Sequence, residues 1–277
     1  MANWISKLFS KSAPVVAVLR LDGVISSGGL LGRPGLNLAS LAGPIEAAFA
    51  LKKVKAVALA INSPGGSPVQ SALITARIRQ LSAEKKIPVF AFAEDVAASG
   101  GYWLSLAADE IYADPSSIVG SIGVISAGFG FTGLIDRIGV ERRMHTSGER
   151  KSFLDPFRPE QPEDVARLLK LQAELHDNFK DEVRARRAGK LKAPEAELFS
   201  GEFWSGRQAK SLGLIDGLGD LRSVVRAKFG DKVRLRRVGA KQGWLRRRLG
   251  MQGLAGDAAN ALFSAAEERA LWGRYGL

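Results

Sequence analysis

Apolar and polar positions along the chain switch between a period of two and a period near 3.6. Val15 to Leu21 and Val54 to Asn62 are β-branched runs that read as strands, and Pro44 to Lys53 between them reads as a helix, which makes a βαβ unit. A second helix has Ser67 as N-cap and Pro68 at its first position, with Val69, Leu73, Ala76, Ile78 and Leu81 as an apolar stripe running to about Lys85. A strand over Pro88 to Ala93, a helix over Ser99 to Ala108, a short strand over Glu110 to Ala113 and a strand-like Ser121 to Ser126 follow, so the sheet is expected to be covered on both sides.

After Lys151 the pattern changes. Pro162 opens a long amphipathic helix in which Val165, Leu168, Leu169, Leu175, Phe179 and Val183 recur at three- and four-residue spacing until the Gly189 break. Lys170, Lys180 and the run Arg184, Arg186, Arg187 read as its solvated face, and His176 as packed or exposed decoration without metal partners. Helices over Ser205 to Leu212 and Asp220 to Phe229 and a last strand over Lys232 to Val238 close the pattern, which contains no internal repeat.

Composition narrows the functional classes. A chain of 277 residues that is 46% hydrophobic and 25% charged is an ordinary globular one, and runs such as Val54 to Ile61 and Ile87 to Ala93 fall short of a membrane span of roughly 20 residues. Met1 to Ser12 lacks the apolar core of a secretory signal, so a cytoplasmic protein is expected. With no cysteine, disulfides, thiol nucleophiles and cysteine zinc sites are excluded, and His145 and His176 are the only imidazoles. Of the net charge of +12, a surplus of nine lies between Leu221 and Leu277, so the basicity belongs mainly to a tail and specific nucleic-acid binding by the body is not expected.

This divides the chain into an amphipathic segment (1–13), a main domain (14–240) and a basic amphipathic tail (241–277). Trp4, Ile5, Leu8 and Phe9 share one helical face beside Lys7 and Lys11, the tail mixes Trp244, Leu245 and Leu249 with Arg246, Arg247 and Arg248, and Ala258 to Trp272 reads as a helix. Peripheral contact with an anionic membrane at its inner face is one reading of both ends; a flexible tail, a subunit contact or non-specific attraction to nucleic acid are the others.

Two strand-to-helix turns carry paired glycines, Asn62 to Gly66 and Ala97 to Gly101. Glycine lets the backbone approach a ligand closely, and the amides that open a helix lack internal acceptors, so the two turns together can offer an oxyanion hole. Ser99, between small residues and a glycine pair, reads either as an exposed nucleophile on a sharp bend or as an ordinary N-cap. A serine nucleophile needs a base. His145, in a strand-like Val140 to Thr146, is one candidate; Lys151 is the other. A lysine acts as base only when its amine is neutral, and lowering it from about 10.4 to about 7.5 corresponds to ~4 kcal/mol of destabilisation of the ammonium, supplied by desolvation.

At this point the motifs resemble those of the signal peptide peptidase A-type serine peptidases, Ser/Lys-dyad relatives of the ClpP/crotonase superfamily. The features that carry the likeness are NSPGG at Asn62 to Gly66, ASGGYW at Ala98 to Trp103, VGSIGVI at Val119 to Ile125, SGERKS at Ser147 to Ser152 and the stretch from Ser200 to Leu221. The resemblance implies an α/β fold of stacked ββα units with helices covering the sheets. It implies Ser99 as nucleophile, Lys151 as general base, Ser121 as the hydroxyl that orients the lysine, Gly66 and Gly100 as oxyanion donors, and Gly65 and Gly101 as shapers of the turns. The implied reaction is hydrolysis of hydrophobic peptides, such as signal-peptide remnants, through an acyl-enzyme without metal or cofactor. It further implies a ring-like homo-oligomer in which serine and lysine come from adjacent subunits, whereas the family's usual N-terminal membrane helix is not expected from this sequence. The alternatives are a crotonase-type acyl-CoA enzyme that shares the oxyanion hole but uses Glu94 or Asp95 as acid and base, and a non-enzymatic basic adaptor acting through the tail.

Overall fold

The computed structural model describes residues 13–27, 29–30, 33–148, 150–239 and 269–276. Its elements are β1 (Val15–Asp22), β2 (Gly29–Leu30), β3 (Arg33–Pro34), α1 (Leu38–Ala50), β4 (Val54–Ser63), α2 (Pro68–Lys85), β5 (Val89–Ala98), α3 (Gly100–Ser105), β6 (Glu110–Ala113), β7 (Ile118–Gly120), α4 (Thr132–Arg137), α5 (Pro162–Arg186), α6 (Glu195–Leu198), β8 (Phe203–Ser205), α7 (Gly206–Ser211), β9 (Gly217–Leu218), α8 (Leu221–Phe229) and β10 (Arg234–Val238). Residues 269–273 are also helical.

One sheet organises them, in the order β10-β1-β4-β5-β6-β9, with every pairing along that path parallel. β5 is long enough to pair first with β6 through Phe90 to Ala93 and then with β7 through Val96 to Ala98, and β7 in turn takes β8 antiparallel. A parallel sheet needs both faces covered. On one face Leu19, Leu59, Ile61 and Ala91 pack with Ile45, Ile74, Ile78, Leu104 and Val183. On the other, Val16, Val18, Ala58, Phe90 and Phe92 pack with Val225 of α8.

Local chemistry sets most boundaries where the sequence places them. Ser67 caps α2 by accepting from the Gln70 amide, Pro68 opens it, and it ends at Lys86 in the left-handed region. Asp220 caps α8 through the Arg222 and Ser223 amides.

Several expectations need correction. α1 starts at Leu38, not at Pro44, because the Asn37 side chain accepts from the Ser40 amide and caps the helix six residues earlier. β5 runs on to Ala98, since Val96 to Ala98 find a partner in β7. The strand expected over Ser121 to Ser126 is absent: Gly120 (φ 114°) and Ser121 (φ 53°) end the extended backbone, and the strand lies just before them. Nor is Val140 to Thr146 a strand. On α2 the buried side is rotated from the expected stripe, with Val69 and Leu73 exposed while Ser71 and Thr75 are buried and bonded to the Ser67 and Trp103 carbonyls.

The expected solvated face of α5 holds at Lys170 and Arg184, which are exposed, but not at the end of the run. Arg187 is 2% exposed, its guanidinium donating to Asp216 and to the Gly213 carbonyl, and Arg186 donates to the Leu106 and Ala108 carbonyls. The sequence pattern also missed α4, α6, β8 and β9. The amphipathic face of Trp4 to Phe9 and the Trp244 to Leu249 cluster lie outside the described residues, as does most of Ala258 to Trp272. No helix among the described residues is long and apolar enough to cross a membrane.

Candidate active site

β4 and β5 end side by side, and each runs into one of the glycine turns. After β4, the Ile25 amide donates to the Gly65 carbonyl and the Ser67 amide to the Ile25 carbonyl, both at 2.8 Å, so the turn is clamped onto the residue that follows β1. Gly66 has φ 136°, and a Cβ there would lie 2.1 Å from the Ile25 oxygen; only glycine fits. Its neighbour Gly65 lies against the second turn, where a Cβ would stand 2.8 Å from both the Ser99 Cβ and the Gly100 nitrogen.

Ser99 occupies the helix-cap position of α3 by backbone only. Its φ and ψ of 53° and −122° are ones an L-residue seldom adopts, its amide donates to the Gly120 carbonyl at 2.8 Å, and its hydroxyl makes no cap bond. A cap serine would have its oxygen on an α3 amide. Here the half-buried side chain makes no such bond and lines a cleft, which is not how a cap serine is placed. The Gly66 and Gly100 amides have no acceptor among the described residues, and a Cβ on Gly100 would lie 3.3 Å from the Gly66 nitrogen, so the two donors face the same space. Gly101 lies in the first turn of α3, packed onto the Ser63 carbonyl.

Ser121 is buried, follows the residue that holds the Ser99 amide, and is fixed by its own amide donating to the Glu202 carbonyl at 2.7 Å. The next residue, Ile122, accepts through its carbonyl from His176 Nε2 at 3.1 Å, which makes His176 a tether between α5 and this loop.

Ser99 opens into a cleft of about 270 Å³ that Gly66 and Gly100 also line. Its walls are Trp103, Val124, Ile125, Leu175 and Phe179, together with Leu271 and Arg274 from near the end of the chain. Trp103 stacks on Phe179 at 4.7 Å and closes the floor between α3 and α5.

Lys151 is not among the lining residues. It is exposed, on a turn closed by its amide donating to the Gly148 carbonyl, within an arm formed by residues 124–160. The arm has its own ties: the Phe131 amide to the Pro156 carbonyl at 2.6 Å, Arg142 to Asp155 at 3.3 Å, and Phe131 stacked on Phe157 at 5.5 Å. It also presents Phe129 (81% exposed), Ile138 (64%) and Leu134 (55%) to solvent. His145 is exposed on the same arm and outside the cleft lining. Glu94 and Asp95 line a different groove, of about 860 Å³, where Glu94 receives both guanidinium nitrogens of Arg20 and Asp95 accepts from Asn62. The carboxylates that an acyl-CoA reading needs are thus spent elsewhere.

The site thus combines a mostly parallel α/β sheet, a strained serine at a strand end and, among the described residues, two amides without an acceptor beside it. The comparisons supply the family: residues 82–233 match the model of Peptidase family S49. Over 272 residues, 95% of the chain, it is 55% identical to a Brucella abortus protein named Na(+)/H(+) antiporter NhaA, of which the match is 37%; that name belongs to the longer protein and is not carried over. It is 35% identical over 77% of its length to the chloroplastic serine protease SPPA of Arabidopsis thaliana, spanning 32% of that relative, and 34% identical over 66% of its length to protease 4 of Salmonella typhi, spanning 29%. Two solved structures of the membrane-bound stomatin-specific protease 1510-N share the fold at a TM-score of 0.51, with 16% and 15% identity, covering 83% and 91% of this chain and 100% and 99% of theirs. The chain belongs to peptidase family S49.

Proposed function

We propose that the chain is a serine endopeptidase in which Ser99 attacks the peptide carbonyl and Lys151, supplied by a neighbouring copy, is the base. The observation that carries this reading is the left-handed Ser99 between β5 and α3 with the Gly66 and Gly100 amides unbonded beside it. In the proposed sequence the Ser99 oxygen bonds to the carbonyl carbon and its proton passes to the Lys151 amine. The lysine returns that proton to the leaving nitrogen as the C–N bond breaks, then takes a proton from the water that attacks the ester carbonyl and passes it to the Ser99 oxygen as the acyl C–O bond breaks, which restores both groups. The two amides stabilise the oxyanion, and the Ser121 hydroxyl orients the lysine.

The exposed arm supports the intersubunit arrangement. An isolated lysine on a turn cannot lose water, and a ring of copies that covers Phe129, Leu134 and Ile138 supplies both the burial and the partner. The apolar cleft walls suit hydrophobic peptides such as signal-peptide remnants. Contact of the basic tail with an anionic membrane is a separate proposal, checked by vesicle sedimentation with and without acidic lipid.

A complementation experiment tests the dyad. Ser99→Ala and Lys151→Ala are each expected to abolish turnover of fluorogenic hydrophobic peptides and labelling by a serine-reactive acylating probe. When the two variants are mixed and reassembled, about a quarter of the sites regain both groups if serine and lysine come from different copies. No recovery on mixing removes the intersubunit dyad, and full turnover by either single variant removes the peptidase reading.

A further inference from the structure

Leu271 and Arg274 lie more than 170 residues from Ser99 in the sequence yet form part of the same cleft wall. They are held there by their neighbours. Tyr275 is 7% exposed and packs on Val96 and Ala98, the latter adjacent to Ser99, while Trp272 packs against the same cluster with Ile118. Phe203 of β8 meets the Tyr275 ring edge-on at 5.1 Å. This anchor fixes the last helical turn against the strand ends that carry the proposed nucleophile.

Every other described residue that lines the cleft is uncharged. Arg274 is exposed at its mouth and, among the described residues, has no carboxylate partner, only the Tyr275 ring 6.0 Å away. A single unpaired guanidinium over an apolar trench is complementary to a chain that is apolar with one negative charge, and guanidinium binds carboxylate by two parallel N–H donors.

We propose that Arg274 is a specificity-determining residue that selects peptides bearing a carboxylate a short distance from an apolar residue in the cleft. It rests on the reading of the Ser99 cleft as a peptide site and adds the substrate class. Two sources supply that carboxylate: an internal acidic side chain or the free C-terminus of the peptide.

Matched quenched-fluorescent peptides distinguish them with the full-length chain. One set places Glu against Gln at successive positions around an apolar residue; the other compares a C-terminal acid with its amide. The carboxylate member of one pair is expected to show about fivefold higher kcat/KM, the size of a solvent-exposed ion pair, with the advantage falling as ionic strength rises. Arg274→Gln is expected to erase the preference, Arg274→Lys to keep part of it and Arg274→Glu to reverse it toward Lys-containing peptides. A wild type indifferent to every carboxylate, or a preference unchanged in Arg274→Gln, overturns the proposal. Anisotropy binding of the same pairs to Ser99→Ala keeps the two readings apart. An Arg274-dependent carboxylate preference in binding, with no hydrolysis by the wild type, leaves Arg274 as the selector and defeats the peptidase reading instead.

Discussion

Ser99 stands at the end of a sheet buried on both faces, its amide tied to Gly120 and its turn in contact with Gly65, whereas Lys151 stands on a turn of an arm whose Phe129, Leu134 and Ile138 face solvent. The first region is tightly packed within the fold, its turns in close approach to Ile25, Ser63 and Gly120. The second has hydrogen bonds enough to hold its shape but leaves its apolar side chains unpaid for by burial. A nucleophile and oxyanion hole must be preorganised to within fractions of an ångström, which a rigid sheet end provides. A base that must be desolvated only on assembly is better carried on a surface that another subunit will cover. Under the proposed mechanism the contrast would assign one half of the chemistry to folding and the other half to association.

The largest effect expected is on the body of the fold. Arg187 at the end of α5 is buried and held by Asp216, which also accepts from Lys190 and from the Ile111 amide of β6. Burial pushes the Asp216 carboxyl up, but the hydrogen bonds from Arg187, Lys190 and Ile111 outweigh it and hold the group below the usual carboxylate range. Asp216→Asn strands a buried guanidinium and is expected to cost about 3–5 kcal/mol in urea unfolding. Because the folded value is lowered, the wild-type contribution is present above the unfolded value, near pH 4, and is lost as pH falls toward the folded one; the variant should lack that part of the acid slope. An unfolding midpoint within experimental error of wild type would show that the α5 terminus is not tied down in this way.

Next comes the glycine turn itself. Gly66→Ala places a methyl against the Ile25 carbonyl and displaces one oxyanion donor, so kcat is expected to fall by about 10²–10³, the loss seen when one such donor is removed. Gly133→Ala in α4, where a Cβ meets nothing within 4 Å, should instead raise stability slightly, by about 0.5–1 kcal/mol, as alanine does in an open helix position. Thermal melts and turnover on both variants set the crowded end of the sheet against the open arm. Equal outcomes would erase the distinction.

The same distinction explains what could be read from the sequence. The strand ends and glycine pairs were legible because their requirements are local: Gly66 is demanded by a turn, and the Ser67-Pro68 cap writes its own signal. Ser99 was half legible, since a cap and a strained nucleophile share the same neighbours and only its φ of 53° and its idle hydroxyl separate them. Arg187 was misread because its partner Asp216 is distant in sequence, and a run of arginines on a helix looks solvated until the chain folds back. Leu271 and Arg274 gave no sign at all, for their place in the cleft depends on Tyr275 meeting β5. Lys151 belongs to a third kind: even the folded single chain leaves it outside the cleft, so the role proposed for it has to be sought in an association rather than in a fold.

A smaller free-energy change tests that association. Phe129→Ser combined with Leu134→Ser alters exposed positions, so folding stability should stay within about 0.5 kcal/mol per site. Assembly should weaken and turnover fall tenfold or more, about 1.4 kcal/mol in the barrier. Sedimentation velocity and peptide hydrolysis measured on the same samples decide it. A double variant of unchanged size and unchanged activity would mean that the arm's apolar face is not an interface.

The smallest change expected concerns the anchor of the cleft wall. The Tyr275 hydroxyl is buried and has no hydrogen-bond partner among the described residues, while its ring carries the packing against Val96, Ala98 and Phe203. An unsatisfied buried hydroxyl costs rather than contributes, so Tyr275→Phe should leave stability unchanged or raise it by up to about 1 kcal/mol, with the peptide preference intact. Tyr275→Ala removes the ring as well and should release residues 269–276 from the strand ends, abolishing the Arg274-dependent preference and, with Leu271 gone from the wall, raising KM for uncharged apolar peptides. If Tyr275→Phe instead loses the preference, the hydroxyl has a partner in the working assembly, and the cleft wall, as proposed for the base, is completed by a second copy.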